Sequence, residues 1–76
     1  MVISVEISMY PLVEDYKTPI YSFIDTLKKT QGVKIISNQM STQIFGEHSI
    51  ILPMLTDEII NVLNDFKVSF IIKILN

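Results

Sequence analysis

The chain has 76 residues, with no cysteine, no arginine and one histidine, His48. Disulfides, thiolate metal sites, cysteine nucleophiles and sites needing two imidazoles are therefore excluded, as are bidentate arginine clamps on phosphate. Six lysines against eight carboxylates give a net charge of -2, which leaves no basic stripe for nucleic acid.

Residues 2–10 alternate. Ile3, Val5, Ile7 and Met9 share one face, and Ser4, Glu6, Ser8 and Tyr10 the other. That is the period of a strand with one buried face. Pro11 is expected to end it, having no N–H for the ladder. A loop with Glu14 and Asp15 follows. Thr18-Pro19 then reads as an N-cap and a first helical residue. Ile20, Phe23, Ile24 and Leu27 fall at i, i+3, i+4 and i+7, the apolar stripe of a helix over 19–30. Lys28 and Lys29 suit its C-terminal dipole, and Gly32 is the expected left-handed terminator.

Val33 to Ser37 reads as a short β-branched strand and Met40 to Phe45 as the next, joined through Asn38-Gln39 as a hairpin. Leu55, Ile59, Val62, Leu63 and Phe66 keep helical spacing, with Thr56, Asp57 and Glu58 suited to a helix start. Ser49 to Met54 fits either a helix or a loop, because Pro53 permits a first turn or a break. Val68, Phe70, Ile72 and Ile74 alternate with Ser69, Ile71 and Lys73 in a last strand with one buried face.

Strand, helix, strand, strand, helix, strand is the ferredoxin-like, α+β arrangement. Residues 1–76 form one domain. Right-handed crossovers give a four-stranded antiparallel sheet in order 4-1-3-2 with both helices on one face. The expected core is Ile3, Val5, Ile7, Met9, Phe70, Ile72 and Ile74 with the two helix stripes. The open face is expected to carry Tyr10, Ile36, Phe45 and Ile71 among polar residues, an apolar patch of the kind that marks an interface.

Fold alone assigns no function. An acylphosphatase-like site lacks its arginine, a metallochaperone lacks its CxxC pair, and an RNA-recognition module lacks basic and aromatic residues on the third strand. No nucleophile–base–orienter set is present, so an enzyme is not expected, nor a cofactor or metal ligand set; His48 and Glu14-Asp15 read as solvated turn and loop residues. No apolar run approaches 18 residues, so no membrane span is expected. Without a basic leader, a cytoplasmic location is expected.

Ile7-Ser8-Met9-Tyr10-Pro11-Leu12, then Asp15-Tyr16, then Met40-Ser41-Thr42-Gln43-Ile44-Phe45-Gly46-Glu47 resemble the thiamine-binding (YkoF-like) family. Gly32 falls where that family has its helix-ending glycine. The resemblance covers nearly the whole chain. It implies the same ferredoxin-like fold, dimers or tetramers assembled through the sheets, and binding of thiamine or its hydroxymethylpyrimidine moiety.

The candidate ligand-binding residues are Ser8, Tyr10, Asn38, Ser41 and Thr42. Antiparallel pairing of the two central strands brings the end of the first toward the start of the third. Tyr10 offers a π-face and the hydroxyls offer donors and acceptors to a polar heterocycle. Alternation puts Ser8, Tyr10 and Ser41 on the open face and Thr42 on the helix side, so the site has to wrap the sheet end. The functional expectation is a non-enzymatic, small-molecule-binding protein working as a homodimer or homotetramer. The alternatives are an ACT-like regulatory or structural module and a small dimeric α+β-barrel enzyme.

Overall fold

The computed structural model describes residues 1–76. Its elements are β1 (Val2–Pro11), α1 (Lys17–Lys28), β2 (Val33–Ser37), β3 (Thr42–Glu47), α2 (His48–Asp65) and β4 (Val68–Leu75). The sheet is antiparallel with order β2-β3-β1-β4. This is the expected order read from the other edge, and the topology is ferredoxin-like.

Register explains where β1 ends. It pairs with β3 only as far as Ile7↔Thr42, but with β4 from Ser4↔Leu75 through Pro11↔Val68. Pro11 thus belongs to the strand rather than ending it. It lies where β1 has no neighbour on the β3 side, so its missing N–H leaves no acceptor unpaired.

α1 begins two residues earlier than the Thr18-Pro19 signature predicts. Its N-cap is Tyr16. Asp15 does the capping work, accepting from the Thr18 backbone N–H at 3.3 Å and the Thr18 hydroxyl at 2.6 Å. The stripe is as expected: Phe23, Ile24 and Leu27 are buried and Ile20 is half-buried. Gly32 follows the helix at a φ of +84°, a left-handed position that glycine adopts without steric cost.

The hairpin turn is longer than the two residues expected. Asn38 N–H donates to the Ser41 carbonyl at 3.1 Å. The Asn38 carboxamide oxygen accepts the backbone N–H groups of Met40 at 2.8 Å and Ser41 at 3.0 Å. A side chain that satisfies two backbone donors competes with the ladder, so β3 starts at Thr42 rather than Met40.

α2 absorbs the ambiguous stretch and runs from His48. Pro53 sits inside it and removes one helical hydrogen bond, at a cost of about 3 kcal/mol. Ile51 and Leu55 on either side are buried, each worth about 1.5–3 kcal/mol, and together they offset the loss.

The core is Ile3, Val5 and Ile7 of β1, Ile44 of β3, Phe23 and Leu27 of α1, and Ile51 and Leu55 of α2. Met9 and Phe70 pack against it half-buried. Ile72 and Ile74, expected in the core, are 41% and 55% exposed. They face the helix side, opposite Ile7 and Val5, but α1 packs on β1 and β2 and α2 on β3. The helix layer stops short of this half of β4.

Candidate ligand-binding groove at the end of the sheet

Because β1 outruns its pairing with β3, the turn Asn38–Ser41 crosses the sheet end beside Ser8. The Ser8 hydroxyl donates to the Met40 carbonyl at 3.4 Å. On the helix side, the start of α1 lies against this turn. Asn38, Gln39, Ser41 and Thr42 line a small cavity there with Ile7, Met9, Ile20, Phe23 and Ile24. It holds about 50 Å³, room for water but not for a ring.

Next to it is a larger groove of about 390 Å³, within the range of ligand sites. Ile20, Ile24, Asn38 and Gln39 line both, so the two spaces adjoin. Tyr16, Lys17 and Tyr21 form the α1 wall of the groove, and Ser37 the strand side.

Of the five sequence-derived residues, Asn38, Ser41 and Thr42 line the small cavity, and Asn38 alone also lines the larger groove. Thr42 is buried, with its hydroxyl 3.5 Å from that of Ser37. Ser8 adjoins them from the open face through Met40. Tyr10 does not join. It stands on the open face, paired with Ser69 of β4, and is half exposed.

Lys17, Ser37 and Gln39 were not legible as site residues. The available signal was the spacing of Lys17, Ile20, Tyr21 and Ile24, one side of α1. That spacing marks a face, but the lateral position of the helix over the hairpin turn decides what the face meets.

The groove has distinct chemical parts. Ile20 and Ile24 make an apolar floor. The Asn38 oxygen is committed to the turn, which leaves its NH₂ group to donate. Lys17 is the one charged residue on the lining, and its ammonium lies 6.0 Å over the Tyr16 ring. That contact occupies the Tyr16 face and leaves the Tyr21 ring free. Ahead of α1, the Thr18 hydroxyl and then its backbone N–H hold the Asp15 carboxyl below its ordinary value. At the far end of the sheet, the Met1 ammonium is 2.9 Å from Glu47 and lowers that carboxyl likewise. A second hollow, about 360 Å³, lies on the open face beside Glu6, Gln43, Phe45 and Lys73. Its charges are already matched, with Lys73 3.6 Å from Glu6.

No protein-family model and no curated protein matches this chain. Solved structures do. A hypothetical protein of Methanocaldococcus jannascii is 27% identical, with a TM-score of 0.84 over 99% of this chain and 79% of its own. A candidate thiamine biosynthesis/salvage protein of Thermotoga maritima is 19% identical, with a TM-score of 0.86 over 100% of this chain and 84% of its own. A domain of unknown function, DUF77, from Bacillus cereus is 19% identical, with a TM-score of 0.81 over 100% of this chain and 76% of its own. This chain shares their fold from end to end. No helix is long and apolar enough to cross a membrane.

Proposed function

We propose that this protein is a non-enzymatic, oligomeric small-molecule-binding protein of the YkoF-like, thiamine-binding kind. Its ligand is the hydroxymethylpyrimidine moiety, free or within thiamine or a thiamine phosphate. The observation that carries the reading is the groove between α1 and the Asn38–Ser41 turn. It has the volume of a ligand site, an apolar floor and an amide donor held in place by the turn. The shared fold with the Thermotoga maritima protein supports the choice of thiamine chemistry.

The chemistry of the lining orders the ligands. A flat aminopyrimidine stacks on the free Tyr21 ring and accepts from the Asn38 amide. Lys17 opposes a thiazolium cation and favours a phosphate tail. Thiamine phosphates therefore bind more tightly than thiamine itself.

Isothermal titration of the purified protein with hydroxymethylpyrimidine, thiamine and thiamine phosphates tests this. The expected result is saturable binding of the pyrimidine, with the phosphates above thiamine. No binding of any of the three at millimolar concentration would overturn the reading.

A further inference from the structure

The hollow on the open face of the sheet is built by register. Ile3, Val5 and Ile7 are buried, so alternation turns Ser4 and Glu6 to the face away from the helices. In β3, the buried Thr42 and Ile44 turn Gln43 and Phe45 the same way. Side chains directly opposite in antiparallel strands share a face. Pairing therefore lays two adjacent rows across β3, β1 and β4: Gln43, Glu6 and Lys73, then Phe45, Ser4 and Leu75. All six line the hollow of about 360 Å³. Its origin is local. Serine, the smallest side chain of the six, stands between a phenylalanine and a leucine, so the middle of that row is a gap.

The two rows differ in chemistry. One is charged, with the Lys73 ammonium 3.6 Å from the Glu6 carboxylate and the Gln43 amide on the other side of Glu6. The other is apolar, with Phe45 half-buried and Leu75 exposed on either side of Ser4. Their centres are two residues apart on β1, about 7 Å.

The ion pair is a loose one. Its 3.6 Å exceeds the roughly 2.7–2.9 Å of a charge-assisted hydrogen bond. Its side chains are 71% and 40% exposed, and surface pairs of this kind contribute little. A ligand with a single charge would take one member of the pair and leave the other without its partner. A ligand that carries both charges on neighbouring atoms replaces one loose contact with two close ones.

We infer that this hollow is a second binding site, for an α-amino acid with a large apolar side chain. The ligand ammonium lies on Glu6 and its carboxylate on Lys73. Its side chain reaches over Ser4 and fills the gap between Phe45 and Leu75, removing apolar surface from water. The distance between the rows matches an amino acid of leucine or phenylalanine size and leaves the gap open for alanine. The site lies across the sheet from the groove and is independent of the function proposed for it.

Amide chemical shifts of the full-length protein, titrated with L-phenylalanine and L-leucine, test the inference. Saturable binding at millimolar concentration is expected, with shifts centred on Ser4, Glu6, Gln43, Phe45 and Lys73. Phenethylamine, 3-phenylpropionate and L-alanine each lack one recognised part and are expected to bind about 10- to 100-fold more weakly. Ser4→Leu fills the gap and should abolish binding in a folded protein. Glu6→Gln should weaken it by a similar 10- to 100-fold, about the worth of a charged hydrogen bond. The groove variant Tyr21→Ala should leave it unchanged. No saturable binding of either amino acid overturns the inference, as do equal affinity for phenethylamine and shifts centred on α1. Ligand-free amides of this face that are protected from exchange, and lose that protection on dilution, would give the hollow to a second copy and overturn it too. The reading of the groove stands in all of these cases, because it is tested by pyrimidine titration and Tyr21→Ala.

Discussion

The rings of Phe23 on α1 and Phe70 on β4 meet at 5.6 Å between centroids, tilted by 49°. This tilted contact is a favourable aromatic geometry, and it ties the first helix to the last strand across β1. Phe23 is buried and Phe70 half-buried. Phe23→Ala should cost about 3–5 kcal/mol, most of what a domain of this size has to lose. Phe70→Ala should cost less. Urea unfolding followed by circular dichroism checks both; a cooperatively folded Phe23→Ala protein with near wild-type stability would contradict the assignment.

Asn38 has two separable duties. Its oxygen holds the turn, and its NH₂ is left to donate at the groove that Asn38 lines. Asn38→Ala should lower stability by about 1–2 kcal/mol, the worth of two neutral hydrogen bonds. Asn38→Asp keeps the oxygen acceptor and removes the donor, so it should fold nearly normally yet lose pyrimidine affinity. Urea midpoints and titration calorimetry on the two variants separate the duties. Equal ligand affinity in Asn38→Asp and wild type would remove Asn38 from the site.

What the sequence disclosed was periodicity and order. The alternation of Ile3, Val5 and Ile7 marked a buried strand face, and the spacing of Phe23, Ile24 and Leu27 a buried helix stripe. The chain order of elements then yielded the sheet order. What it did not disclose were lateral relationships between elements. Alternation put Ile72 and Ile74 on the helix face but could not tell that the helices stop short of β4. Likewise strand order brought the end of β1 to the start of β3, and Ser8 does reach the Met40 carbonyl there. Lys17 and Gln39 were missed because their meeting depends on how far α1 slides along the hairpin. The start of α1 was misplaced because Asp15 caps it through Thr18, a side-chain choice that competes with the equally plausible Thr18-Pro19 signature.

Gly46 of β3 packs against the turn that follows α1. A Cβ at this position would stand 3.0 Å from the Gly32 carbonyl oxygen and 3.4 Å from Val33 Cγ1. The first contact is with backbone, which cannot turn aside as a side chain would. Gly46→Ala should therefore destabilise the fold by about 1–3 kcal/mol, the usual range for overpacking. A thermal melt checks it, and an unchanged midpoint would mean the β2–β3 pairing has more slack than its geometry shows.

Asp15 couples the start of α1 to pH. Its carboxyl is held below the ordinary value of 3.8, first by the Thr18 hydroxyl and then by the Thr18 backbone N–H. A group lowered on folding binds protons more weakly in the folded state. Its contribution is thus complete above the unfolded value and lost as pH falls through the folded one. Asp15→Asn removes that dependence while keeping an acceptor for Thr18. Stability measured from neutral pH down to pH about 2 should fall less steeply in Asp15→Asn than in wild type over the acidic limb. Identical slopes would show that the contact is lost in solution.

The last expectation distinguishes the groove from the open face. Tyr21 is exposed on the wall of the groove, with its ring free, whereas Tyr10 stands across the sheet beside Ser69. Stacking of a flat heterocycle on an aromatic ring is worth about 1–3 kcal/mol. Tyr21→Ala should therefore weaken pyrimidine binding roughly 5- to 150-fold. Tyr21→Phe should retain it, since the ring and not the hydroxyl makes the contact. Both should fold normally, because an exposed side chain contributes little to the core. Tyr10→Ala should leave affinity unchanged. Titration of the three variants decides between the faces: loss of binding in Tyr10→Ala with full binding in Tyr21→Ala would move the ligand to the open side of the sheet, around Ser8, and away from α1.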